Sequence, residues 1–266
     1  MTLEAIEGPN IGPEIRARPD TEIIGVVTPR VLFLRNDHTA TEALLEQVFT
    51  EYGFVIDTFD VVPADREDDP AGQVPFPEPT GYDVIVPLGA RWPVYDAALR
   101  DSWVGAEMAM IRRAVDAGVG VLGVCFGGQL VAQAFGGSVS RSPAPEIGWY
   151  DVVSDDERVV PGGLWFQWHF DRWTLPPGAT EIARTPNASQ AFILGTALAL
   201  QFHPELDSEL LETWLADDRD GAAAGLGRTH DELRLQTKEL ADDAAARLRR
   251  LVHGFLGRVV RSAPST

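Results

Sequence analysis

One thiol stands where a thiol could act. Cys125 is the single cysteine of 266 residues, set in "GVLGVCFGGQLVAQAFGG" (120–137) with glycines at 123 and 127. A nucleophile on a sharp strand-to-helix turn adopts a strained backbone, and the residues two before and two after it must be tiny. Such a turn lifts the sulfur to the carboxyl end of a strand and the amino end of a helix, where free N–H groups favour a thiolate. The N–H of Phe126 would then point at the oxygen of an attacked carbonyl. The alternative is a buried, inert thiol, a common fate of free cysteine.

The chemistry needs a base. Five histidines are available: His38, His169, His203, His230 and His253. His230 and His253 fall in a C-terminal helical region, and His38 precedes a helix start. His203 ends an apolar strand in "LALQFHPEL", and Pro204 biases it toward extended backbone. In an extended segment His203 and Glu205 project together. The carboxylate can then hold one imidazole nitrogen and leave the other for proton transfer. "HPE" alone is a short match; paired with the turn at Cys125 it points to acyl transfer through a thiol.

These residues need a scaffold. "RVLFLRN" (30–36), "FVIDTFDVV" (54–62), "DVIVPLG" (83–89) and "VGVLGVC" (119–125) read as buried strands. Between them lie a helix with Leu44, Leu45, Val48 and Phe49 on one face, opened by a Thr39–Glu42 capping box and closed by Gly53, and one from Asp101 carrying Val104, Met108, Ile111 and Val115. Residues 63–82 read as a Pro-rich, acidic surface loop. The alternation predicts an α/β fold: an open, mostly parallel sheet with helices on both faces. After residue 138, shorter strands joined by turns predict a small antiparallel extension. A C-terminal helix with Leu240, Ala244, Leu248, Leu251, Phe255 and Val259 on one face packs back on the domain. The expected organisation is an extension over 1–29 and one domain over 30–266, with C-terminal helices in 206–260.

Composition narrows the class. Forty acidic against 22 basic residues give a net charge of −18, which argues against nucleic-acid binding. No apolar run approaches the ~20 residues of a membrane span, and the acidic N-terminus lacks a signal-peptide pattern. With one cysteine, nothing requires an oxidising compartment, and a cytoplasmic location is expected. Neither H-E-x-x-H nor C-x-x-C occurs, so no metal or other cofactor is expected.

"GVCFGGQL" and "FHPE", with "PEIGW" (145–149), "WHFD" (168–171) and "VPLGARWPVYD" (86–96) between or before them, resemble the class I glutamine amidotransferases, in their free-standing, GMP-synthetase-like branch. The resemblance covers roughly residues 30–205. It implies a flavodoxin-like sheet, a Cys125–His203–Glu205 triad, and cleavage of a γ-glutamyl amide through a thioester. It also implies that Phe126 and the Gly89–Ala90 loop stabilise the oxyanion, and that Gln129, Trp168 and His169 line or support the glutamyl pocket. The implied ligand is glutamine or a γ-glutamyl small molecule. About 60 residues follow Glu205, too few for a synthetase domain, so a separate synthetase or acceptor subunit is one expectation and autonomous hydrolysis the other. The chain departs from the pattern at Ala90, where a second glycine is usual, and at Arg91 and Trp92, which follow where smaller residues are usual. Two other readings stay open: a dienelactone-hydrolase-like site of Cys125, Asp171 and His203, and a non-catalytic binding protein on the amidotransferase fold.

Overall fold

The computed structural model describes residues 28–260, with side chains through Gly257. The extension expected over 1–29 lies almost wholly outside the described residues, as does the side chain of Val259. The elements run β1 (Arg30–Arg35), α1 (Ala43–Glu51), β2 (Val55–Asp60), β3 (Val84–Pro87), α2 (Ala97–Arg100), α3 (Trp103–Asp116), β4 (Gly120–Val124), α4 (Phe126–Ala134), β5 (Ser138–Ser154), β6 (Gly163–Thr174), β7 (Thr180–Arg184), β8 (Ser189–Leu194), β9 (Ala197–Leu200), α5 (Ser208–Asp217), α6 (Ala222–Gly225) and α7 (His230–Gly254). A π-helical turn, Phe255–Val260, continues α7.

The nine strands form one sheet in the order β2-β1-β3-β4-β9-β8-β7-β5-β6. The first five are parallel; from β9 onward the pairings are antiparallel. The parallel strands β3 and β4 are buried along their whole length, which is why they read as continuous apolar runs. Alternate residues of β1 feed opposite cores. Val31 and Phe33 pack with Leu45, Val48 and Phe49 of α1 and with Leu248, Leu251 and Val252 of α7. Leu32 and Leu34 pack with Trp103, Val104 and Ile111 of α3 and with Leu130 and Val131 of α4. The period of two in the strand therefore dictates a three-layer sandwich.

Two local expectations are corrected. The Thr39–Glu42 capping box does not form: α1 starts only at Ala43, with Glu42 preceding it. The Glu42 carboxylate accepts from Arg35 Nε at 2.7 Å, and the Thr39 hydroxyl donates to Asp37 at 2.9 Å. A charge-assisted bond to guanidinium outcompetes a neutral backbone N–H for the carboxylate. The second correction concerns the antiparallel part. It contains strands of 17 and 12 residues, β5 and β6, rather than short ones. Pro143 and Pro145 fall in the register shift between Arg141 and Glu146, where the ladder asks for no donor, so they interrupt the pairing without ending the strand.

Because β1, β3, β4 and β9 are parallel neighbours, their carboxyl ends open on one edge of the sheet. That edge is where open α/β sheets bind ligands. Residues 36–37, 88–89, 125 and 201–203 are brought together there.

Candidate active site

Cys125 sits between β4 and α4 with φ 51° and ψ −106°, a conformation L-residues rarely adopt. The surrounding glycines explain how the chain tolerates it. A Cβ on Gly123 would lie 2.7 Å from the Gly127 carbonyl oxygen, and one on Gly127 would lie 1.9 Å from the Pro87 carbonyl oxygen. A Cβ on Gly128 would meet the Leu200 oxygen at 2.6 Å. The turn thus wedges α4 directly onto the backbone of β3 and β9. The Cys125 N–H donates to Leu200 O at 2.8 Å, and its carbonyl accepts from Gln129 N–H at 2.9 Å, so the turn is fixed on both sides. Gly127→Ala gains up to about 1 kcal/mol of helix propensity, but its methyl overlaps a backbone oxygen that cannot swing away. Overpacking of this kind costs about 3 kcal/mol at the upper end of the usual range. Net destabilisation by at least about 2 kcal/mol in urea unfolding is expected; a variant as stable as wild type would refute the wedge.

Across the edge, His203 Nδ1 lies 2.7 Å from Glu205 Oε1, and both side chains are buried. The spacing of two in extended backbone faces them together, and the Glu205 carbonyl also accepts from the Leu44 N–H at the start of α1, 3.1 Å away. Trp214 of α5 stands edge-on to the imidazole, with centroids 4.6 Å apart, and its indole N–H donates to Thr39 O at 2.9 Å. Burial by itself would lower the His203 pKa, but the Glu205 carboxylate and the Cys125 sulfur outweigh it and push it up to about 10. Both neighbours favour the charged form of the ring. Asp171 goes elsewhere: its Oδ1 accepts from Tyr95 OH at 3.1 Å, and its backbone oxygen lies 3.0 Å from His169 Nδ1. The carboxylate on His203 is therefore that of Glu205, not that of Asp171.

The family model for glutamine amidotransferase class-I matches residues 59–218, more than half of the chain and inclusive of this constellation. The chain belongs to the class-I glutamine amidotransferases. Its fold superposes on a glutamine amidotransferase from Thermotoga maritima with a TM-score of 0.74 at 26% identity, covering 86% of this chain and 99% of that one. The chain is 31% identical over 182 residues to the glutamine amidotransferase-like protein chyE of Penicillium rubens, which covers 60% of this chain and 72% of that protein. It is 37% identical over 110 residues to the glutamine-hydrolysing GMP synthase of Aeropyrum pernix, but that match spans 36% of this chain and only 21% of the synthase.

The amidotransferase cleft has a volume of about 310 Å³ and is lined by Cys125, His203, Gly89, Ala90, Phe126, Gln129, Trp168 and His169 among others. All the lining residues expected from sequence therefore meet in it. Gly89 sits close to the imidazole: a Cβ there would lie 3.3 Å from His203 Cε1, a tight contact that would press on the ring. Ala90 does not have a positive φ, so the departure from glycine introduces no backbone strain. His169 is locked by Glu146, whose Oε2 lies 2.9 Å from Nε2, and Glu146 is itself held by Asn187 and Gln190. It supports the wall from a fixed position.

Arg91 and Trp92 also line this cleft, and both are held in place by neighbours. The guanidinium is bound by Asp37, Glu67 and Asp217, and Trp92 packs edge-on against Trp103 at 6.2 Å. Burial would raise the Asp37 carboxyl, but bonds from Arg91 and Thr39 hold it below the usual range. Sequence reasoning also missed Gln201. Its Nε2 lies 3.7 Å from the Cys125 sulfur, and its Oε1 accepts from Gln129 Nε2 at 3.4 Å. An isolated amide at the end of an apolar strand, "ALALQFH", was the available signal. Trp214, 89 residues from the thiol, carried none.

Among the described residues, no group of His, Cys, Asp and Glu could hold a metal ion, and no helix is long and apolar enough to cross a membrane.

Proposed function

We propose that this chain cleaves the γ-amide of glutamine, or of a γ-glutamyl compound, through a thioester on Cys125. The observation that carries the reading is the strained cysteine at a helix start sharing one cleft with a histidine whose far nitrogen is held by Glu205. The sulfur, as thiolate, attacks the amide carbon, and the oxygen gains negative charge facing the N–H groups of Phe126 and the Gly89–Ala90 loop. The His203 imidazolium gives its Nε2 proton to the departing nitrogen, and ammonia or an amine leaves. The neutral ring then takes a proton from water as that water attacks the thioester. Collapse returns the γ-carboxylic acid, the thiolate and the imidazolium; the acid then ionises and its proton ends on the released ammonia or amine, so charge and protons balance over the cycle.

The GMP synthase relative is glutamine-hydrolysing, which supports the amide assignment. Two destinations for the nitrogen follow. Ammonia passes to a separate synthetase subunit, or the chain hydrolyses γ-glutamyl compounds by itself. The test is release of ammonia or amine from glutamine and from a panel of γ-glutamyl amides and peptides. Slow turnover of glutamine alone is expected, with much faster turnover of the true substrate or in the presence of the partner. Fast hydrolysis of glutamine by the isolated chain would refute that dependence, and no turnover of any γ-glutamyl amide would refute the reading itself.

A further inference from the structure

The two residues that follow β1, Asn36 and Asp37, are fully buried, polar and unused by the proposed chemistry. Burying such groups is costly unless their bonds serve the fold or the site. Their bonds converge on one short loop. Asn36 Nδ2 donates to the Leu88 carbonyl at 3.1 Å, immediately before Gly89. Asp37 Oδ2 accepts from the Arg91 backbone N–H at 3.3 Å, immediately after Ala90, and from Arg91 Nε at 2.6 Å. Asp37 Oδ1 accepts in addition from Arg91 Nη2 at 3.1 Å and from the Thr39 N–H at 2.9 Å. Behind Asn36 stands Glu107 of α3, fully buried, whose Oε1 accepts from the same Asn36 Nδ2 at 3.2 Å.

The peptide groups of Gly89 and Ala90 therefore hang between two fixed points, one on each side. A donor that stabilises developing charge works because it is already aimed and pays no reorganisation during the reaction. A loop free to turn its N–H groups away would lose that advantage; misplacement by about 1 Å can cost on the order of 10²-fold.

We propose that Asn36 and Asp37 are positioning residues that clamp the two ends of the Gly89–Ala90 loop, keeping its N–H groups on the carbonyl oxygen of the bound amide, with Glu107 bracing Asn36. The clamp rests on the assignment of that loop as oxyanion donor in the proposed function. Burial pushes the Glu107 carboxyl up to about 8, against the opposing effect of the Asn36 bond, so the brace at neutral pH is a neutral acid and no buried charge has to be carried.

The experiment compares two reactions of the same sulfur. Hydrolysis of a chromogenic γ-glutamyl anilide passes through an oxyanion; alkylation of Cys125 by iodoacetamide does not. Asn36→Ala is expected to lower kcat on the anilide by about 10- to 100-fold, with KM within about threefold and the alkylation rate unchanged. Glu107→Leu is expected to lower kcat in the same selective way. Glu107→Gln, whose amide oxygen accepts the same N–H, recovers it. Glu107→Leu also guards against misfolding, since it replaces a buried carboxyl with an apolar side chain of similar size. Wild-type-like kcat in the folded variants, or alkylation falling in parallel with kcat, overturns the clamp. A wild type that turns over no γ-glutamyl amide while its thiol alkylates normally overturns the catalytic reading on which the clamp depends.

Discussion

Incubated with an electrophilic glutamine analogue, the wild-type chain gains the mass of one adduct, and Cys125→Ser gains none. The same substitution is expected to reduce γ-glutamyl amide hydrolysis by about 10⁴-fold or more, the size of loss seen when a nucleophile is removed from a catalytic constellation that acts as a unit. The physical case is specific to this cysteine. Its sulfur stands at the start of α4, where unpaired helix N–H groups and the dipole stabilise negative charge. It also shares the cleft with His203, whose charged form the Glu205 carboxylate favours. Serine keeps the size and tolerates the same backbone, so the turn survives, but a hydroxyl is a far weaker nucleophile than a thiolate in these surroundings. Intact-mass spectrometry reads the adduct and ammonia release reads the turnover. An adduct in Cys125→Ser, or turnover within tenfold of wild type, would refute the assignment.

Glu205→Ala is expected to cut kcat by about 10²- to 10⁴-fold, whereas Asp171→Ala stays within about tenfold. The lower bound allows for a sulfur nucleophile needing less help from its base than an oxygen one. The pH profile adds a second, independent readout. With His203 pushed up to about 10, the ring that protonates the leaving nitrogen stays charged through neutral pH, and wild-type activity falls only as pH rises toward that value. Removing the Glu205 carboxylate takes away a group that raises the His203 pKa, so the alkaline limb moves to lower pH. Asp171 makes its bonds to Tyr95 and to His169, and its loss leaves the limb where it was. Both variants are to be checked for folding by circular dichroism, since Glu205 is buried and its bond to His203 contributes to the local packing. If Asp171→Ala abolishes activity and Glu205→Ala leaves it near wild type, the assignment of the carboxylate is wrong.

The sequence by itself determined the features whose causes are local. Glycines two residues either side of Cys125 are needed by the turn that contains it, and the Gly123 and Gly127 contacts are the reason. His203 and Glu205 face together because extended backbone has a period of two, so "HPE" announces the 2.7 Å pair without reference to anything distant. Continuous apolar runs in β3 and β4 declare strands covered on both faces, and from them the parallel sheet follows. Where several local signals competed, the sequence was ambiguous. The Thr39–Glu42 pattern matches a capping box, yet Arg35 claims the Glu42 carboxylate through a pairing that depends on where β1 ends relative to α1. In β6 both faces contribute to the cleft, Trp168 and Phe170 from one and His169 and Asp171 from the other, so polarity along the strand does not report which face is buried. Only the tertiary structure decided that Gln201 reaches the thiol and that Arg91, at the cleft, is tied to three carboxylates. It alone placed Asn36 beside Leu88 and Glu107, 52 and 71 residues away. The physical reason is common to all of these. Each partner comes from a different strand or helix, and which ones meet is set by the strand order β2-β1-β3-β4-β9, a property of how the layers pack rather than of any stretch of chain.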